Sequence, residues 1–493
     1  MSTAVRPVDP AEVFNRAIDA LNGRTPLPLD DVDRALKAAP RDHRLWQVKG
    51  LIHREQDRRE LAIPALRRAV ELAPNEPLVA HGYARTLLEA GQPSVEAFGR
   101  ALKLAPGNPE VVTGLVAALV AEGRSGEAIA GLEQAVVRSP LWTDGQILLS
   151  SLRWSEGERA GFTRSFDEAL AANPASADLR RVQLNALVEA EQFDEALSRI
   201  EQGRQRFGEQ LVFTTHEAVV RSETGDTEAA DRLFDQVPMF QLANFDLRRI
   251  RHWLRSGRLD RAVELLEWWI DKPEQDMFWP YASTAWRMTG DPRFNWLEGD
   301  DRLVGVYDLA DRLPPLDALA ATLRKLHKSR SQPLAQSVRG GTQTDGILFH
   351  RIEPEIVALR EAIRSAVAEH AAALPPLDPK HPLARKRPSS IAFSGSWSVR
   401  LTAGGSHANH IHPLGWLSSA LYIVLPPDLG RDDAGWLTLG EPQAQLGLDL
   451  PPYRLIEPKP GRLALFPSWT WHGTRPFGEG ERITVAFDVA PAV

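Results

Sequence analysis

The sequence predicts a multidomain α + β protein, with an all-α helical-repeat solenoid first and a β-sandwich or jelly roll in the last third. Three observations carry this. Prolines recur at Pro40, Pro74, Pro106, Pro140 and Pro174, spaced 34, 32, 34 and 34 residues apart. Beyond Pro388 the pattern becomes short runs rich in Val, Ile, Trp, Phe and Thr, divided by Gly and Pro. The 493 residues, 43% apolar and 25% charged, suffice for two to four domains with packed cores.

Each proline closes a unit, because proline cannot continue a helix. Five residues before it stands an alanine (Ala69, Ala101, Ala135, Ala169), and eight before it a large apolar residue (Leu66, Phe98, Leu132, Phe166). Gly50 and Gly82 sit where the first helix of a unit is expected to be crossed closely. Gly91, Gly123 and Gly157 mark the turn between helices. The unit is thus a pair of short amphipathic helices, and fixed-period pairs of this kind stack into a solenoid with an extended face. With Trp46, Gly50, Ala62, Leu66, Ala69 and Pro74 in place, the unit resembles the tetratricopeptide repeat. The resemblance runs from about residue 8 to 210 and fades where Gly208 replaces the next proline. Residues 1–240 are therefore assigned to the repeats. A helical extension and linker, including the amphipathic 258–270, is assigned to 241–334.

The segment 328–346 is rich in Gly, Ser, Thr and Gln and reads as a loop. It is either a plain linker or, through Arg339-Gly340-Gly341-Thr342, a flap over a pocket. A helix is expected at 353–374, then a Pro-rich stretch at 375–388, then strands in SIAFSGSWSVRLTA, WLSSALYIVLP, GWLTLG, GRLALFPS and RITVAFDVA. Residues 335–493 form the second domain, with the helix leading.

Composition excludes several functions. There is no cysteine, hence no disulfide, thiolate zinc site, Fe–S cluster or cysteine nucleophile. The net charge is −7, and residues 336–493 are balanced at 15 basic and 15 acidic, so nothing points to nucleic acid. No run approaches 18 uninterrupted apolar residues, and MSTAVRPVDPAEVF lacks the pattern of a signal peptide. No membrane partner is expected, and the cytoplasm is the expected compartment. The repeat resemblance implies that the array binds a protein or peptide; scaffolding and homo-oligomerisation are its other uses.

Seven of the 13 histidines follow residue 335, and His407, His410 and His412 fall within six positions. Residues i and i+2 of a strand share a face, so His410 and His412 can converge. His472 follows a separate strand and can arrive from across a barrel. Two near ligands and one distant ligand make a facial metal site with open positions, and imidazole suits Fe, Zn, Cu and Ni. The alternative is a set of surface or hydrogen-bonding histidines. Arg482 and Thr484 share a strand face ten and twelve residues beyond His472, and an arginine beside a hydroxyl clamps a carboxylate well. Tyr422 stands ten residues after His412.

On His410-Ile411-His412-Pro413, Tyr422, Gly461 to Ser468, His472 and Arg482-Ile483-Thr484, residues 390–490 resemble the Fe(II)/2-oxoglutarate-dependent oxygenases. The resemblance implies a double-stranded β-helix (jelly roll), with Fe(II), 2-oxoglutarate and O2 as cofactors. It also implies His410, His412 and His472 as catalytic metal ligands, and Arg482, with Thr484 and Tyr422, as the 2-oxoglutarate clamp. Trp416, Trp471 and Arg400 are candidates for substrate contact; core packing for the tryptophans and an exposed sheet charge for the arginine are the alternatives. The usual triad has a carboxylate where His412 stands. Three readings stay open: a three-histidine site, a two-histidine site with His412 off the metal, or an inactive barrel. Asp488 as an oxygen donor is set aside here for its distance along the strand. The function expected is a dioxygenase that hydroxylates a protein or peptide captured by the repeats. Its rivals are a repeat adaptor with a degenerate metal-binding barrel and a small-molecule oxygenase whose repeats drive oligomerisation.

Overall fold

The computed structural model describes residues 9–23, 28–328, 337–388, 390–413, 415–427, 429 and 433–490. The chain divides into two compact units, Met1–Ser139 with Gly346–Val357, and Pro140–Asp345 with Ala358–Val493.

Helices end where the prolines predict. Leu29–Ala38, Arg59–Leu72, Val95–Leu104, Ser125–Arg138 and Arg164–Ala172 each stop two residues before a unit proline. The intervening residue (Ala39, Ala73, Ala105, Ser139, Asn173) always has φ between −128° and −134° and ψ between 64° and 71°. The reason is steric: the proline ring bars the residue before it from the helical region. Gly91, Gly123 and Gly157 turn between helices at φ of 67°, 77° and 91°, where a Cβ would be strained.

The close crossings fall partly elsewhere than expected. A Cβ on Gly50 would lie 2.5 Å from Leu66 Cγ, so glycine is required there. Gly82 meets nothing within 4 Å; the tight place in the next unit is Gly114, whose Cβ would fall 2.1 Å from Phe98 Cε1. The first unit also holds a segment from far along the chain. Leu348 and Phe349 are buried, and Ile352 packs on Ile63, Leu87 and Ala90. The guanidinium of Arg351 fills the space a side chain at Gly91 would need.

Among the described residues of the second unit, nine strands form one sheet: β1 (Gly305–Asp308), β2 (Val338–Gln343), β3 (Phe393–His410), β4 (Leu417–Val424), β5 (Leu437–Leu439), β6 (Arg454–Ile456), β7 (Arg462–Pro467), β8 (His472–Thr474) and β9 (Arg482–Val489). The order is β1-β7-β4-β9-β3-β8-β5-β6, with β2 also on β3. Every pairing is antiparallel. The long β3 belongs to both halves: Phe393–Leu401 pairs with β9, while His407 and His410 pair with β8. Between these stretches the register shifts near Gly404 (φ 74°) and Gly405, the usual means of curling a sheet. This curled, strand-rich sheet is the jelly-roll-like body the sequence predicts.

Among the described residues, four strands (β1, β2, β6 and β8) lie where the sequence suggested none. β1 falls within the stretch read as helical extension and linker; with only four residues it is too short to show a period. Of the expected loop, 329–336 lies outside the described residues, but Val338–Gln343 is a strand. Its glycines suggested a turn, yet Gly341 serves close approach: a Cβ there would lie 2.3 Å from the Arg400 carbonyl. Residues 1–8, where the leader pattern was judged, also lie outside the described residues. Trp279–Thr289 anchors to the barrel, where Trp471 Nε1 donates to the Pro280 carbonyl (3.2 Å) and to Thr284 Oγ1 (3.0 Å). Among the described residues, no helix is long and apolar enough to cross a membrane.

Candidate metal centre

The end of β3 and the short β8 bring the histidines together, because His410 stands directly opposite His472 in register. Their ring centroids are 4.2 Å apart. His412, just past β3, lies 4.9 Å from His410 and 5.1 Å from His472. One nitrogen from each lies within 4.8 Å of the others, a cluster that can hold one metal ion.

The hydrogen bonds determine which nitrogens are available. His410 Nδ1 is 2.8 Å from the Ala408 carbonyl and His472 Nδ1 is 2.9 Å from the Thr470 carbonyl. His412 Nδ1 is 2.7 Å from Asp488 Oδ1. Carbonyls and carboxylates only accept, so each Nδ1 carries a proton and Nε2 is the nitrogen left to bind a metal; that of His410 also has Ser337 Oγ at 3.3 Å. Burial holds the pKa of both His410 and His472 well below the ordinary histidine value, and the neighbouring histidines add to this. Both are neutral near pH 7, as ligands must be. His407 also lines the cavity. Burial, then the charge of Arg482, pushes it down to about 3.

The same cavity is lined by Trp397, Ser337, Gln343, Arg482, Thr484 and Ala486. Arg482 is 1% exposed, yet its Nε and Nη1 have no hydrogen-bond partner among the described residues. Its guanidinium carbon lies 5.0 Å from the ring centre of Tyr422, a fully buried residue that pairs in register with Thr484. A buried cation with spare donors facing a cavity suits a bidentate anion. Burial lowers the pKa of Arg482, and Tyr422 opposes that shift.

Three sequence candidates are placed elsewhere. Arg400 is partly exposed and pairs with Glu481 at 2.6 Å, having been placed on the outer side by the register of β3. Trp416 donates to the Leu383 carbonyl at 3.1 Å, and Trp471 is held by Pro280 and Thr284 as described; both are packed into the fold. The tryptophan lining the cavity is Trp397, 5.5 Å from His412. Asp488 lies outside the group of three histidines, yet β9 runs back beside β4 and sets it opposite Ser418 and against His412. Period-two alternation was the available signal: Arg482, Thr484, Ala486 and Asp488 share one face of β9. Ser337 and Gln343 carried no such signal, lying in or next to an unrecognised strand.

Residues 395–488 match the profile of a family described as "Putative 2OG-Fe(II) oxygenase", and residues 43–76 match the tetratricopeptide-repeat profile. The chain joins repeats of that type to a domain of that oxygenase type. Among solved structures, a Pseudomonas putida prolyl-4-hydroxylase is 17% identical over 39% of this chain and 94% of its own, with a TM-score of 0.26. YrrB, a TPR protein with an unusual peptide-binding site, is 16% identical over 37% and 95%, TM-score 0.26. A tetratricopeptide repeat protein from Parabacteroides merdae is 13% identical over 46% and 91%, TM-score 0.31. No curated protein matches the chain.

Proposed function

We propose that the protein is an Fe(II)/2-oxoglutarate-dependent dioxygenase that hydroxylates a protein or peptide held by its repeat array in the cytoplasm. The observation that carries this reading is the sharing of one cavity by three clustered imidazoles and a buried, under-bonded arginine. His410, His412 and His472 would hold the metal through Nε2. Arg482 would pair with the distal carboxylate of 2-oxoglutarate, helped by Thr484 and Tyr422. When bound, Fe(II) with 2-oxoglutarate and O2 supplies the oxidising chemistry that puts a hydroxyl on a substrate C–H. The chain's own part is to hold both cofactors, keep His410 and His472 unprotonated and exclude water with Trp397 and Leu437. Capture of a protein or peptide rests on the repeats, since arrays of this type generally mediate protein–protein contacts.

One observation favours the adaptor reading instead: a histidine occupies the usual carboxylate position. Anaerobic titration of the apo-protein with Fe(II) and 2-oxoglutarate separates the two. A visible charge-transfer band that vanishes in His410→Ala and His472→Ala is the expected result. No band in the wild type would overturn the oxygenase reading.

A further inference from the structure

We propose that Asp488 is a positioning residue that orients His412 as the third metal ligand and returns to the centre the negative charge its ligand set lacks. This rests on the metal-site reading above.

Three neutral imidazoles around a divalent ion leave two positive charges, one more than two histidines and a carboxylate. That excess falls in a cavity already occupied by the Arg482 cation. The carboxylate of Asp488 lies 2.7 Å from His412 Nδ1, one imidazole away from the metal position. Ser418 Oγ lies 2.6 Å from the same oxygen, and Ser468 Oγ lies 3.1 Å from Ser418 Oγ. A backbone contact, His412 N–H to the Ser468 carbonyl at 2.9 Å, also holds the residue. The carboxylate therefore locks the Nδ1–H tautomer, aims Nε2 and makes the imidazole a stronger donor. Among the described residues, His410 and His472 have backbone carbonyls at Nδ1, so this charged support is particular to the ligand that replaces a carboxylate. The charge is retained, one residue farther from the metal.

The test uses metal alone, without 2-oxoglutarate, on the full chain. Cobalt(II) is titrated as the probe, and the metal-shifted exchangeable imidazole N–H resonances are counted by NMR. The wild type should show three, and His412→Ala two, with weaker binding. Asp488→Ala should weaken cobalt binding by roughly 10- to 100-fold. Asp488→Asn, which can still accept from Nδ1–H but carries no charge, should fall between. Thermal midpoints of the metal-free variants report on folding separately. Equal cobalt affinity in wild type, Asp488→Asn and Asp488→Ala would overturn the proposal alone, leaving the oxygenase reading intact. So would two resonances in the wild type with His412→Ala unchanged, or binding that survives His412→Ala but not Asp488→Ala, since either removes His412 from the metal. A wild type that binds no metal would overturn both readings.

Discussion

The repeats and the barrel bury their residues on opposite terms. In the first unit the recurring positions are satisfied by packing: Leu66, Ala69, Phe98 and Ala101 are all fully buried among apolar neighbours. In the barrel the buried positions include His472 and Arg482, which are costly to keep from water. The repeat residues are where burial is favourable. The barrel residues are where burial is useful, because a dry cavity strengthens charge interactions. Stability and activity should therefore respond in opposite directions in the two regions.

Arg482→Met is the sharpest break of that contrast. Removing one partner of a buried charge pair costs about 2–5 kcal/mol, so 2-oxoglutarate affinity should fall by roughly 30- to several-thousand-fold. The apo-protein should become no less stable, and up to about 4 kcal/mol more stable, since a desolvated cation gives way to a hydrophobe. Isothermal titration and thermal melting on one preparation check both. A parallel loss of stability would mean that Arg482 is structural.

Leu66→Ala should do the reverse. The cavity it opens beside Gly50 should cost about 2–5 kcal/mol of stability, read by denaturant unfolding. Metal affinity should be untouched.

The third prediction concerns acid. Burial pushes the pKa of His252 and His370 down to about 4. Both titrate near 6.5 when unfolded. Between pH 6.5 and 4 the unfolded state binds more protons, so stability falls as pH drops through this window and levels off below it. Each group should cost on the order of 1–2 kcal/mol by pH 5. His370→Gln should flatten the profile of metal-free protein; an unchanged slope would contradict the assignment. The smallest effect belongs to Arg400→Ala. An exposed pair of this kind contributes about 0–1 kcal/mol, and neither melting nor cofactor affinity should move measurably.

Legibility in the sequence follows distance along the chain. The repeat prolines, the alanines five residues before them and the turn glycines recur at a fixed period, and each acts on its own neighbours. His410, His412, His472 and Arg482 were legible because their spacing resembles a known pattern. Asp488 beside His412, Trp397 in the cavity and Ser337 within reach of His410 and His407 depend on which strands pair and in what register.

By itself, then, the sequence determined the helix boundaries of the repeats, the strand-rich character of the last third and the segments that carry the candidate ligands. Those properties follow from local sterics: what a proline forbids, what a glycine permits and how side chains alternate. Tertiary structure alone decided that β2 is a strand, that Arg400 faces Glu481 and that Trp416 and Trp471 are packed away. It also decided that a carboxylate stands behind the unexpected histidine. These outcomes depend on register, and a shift of a single residue would turn every side chain of β9 to the other face.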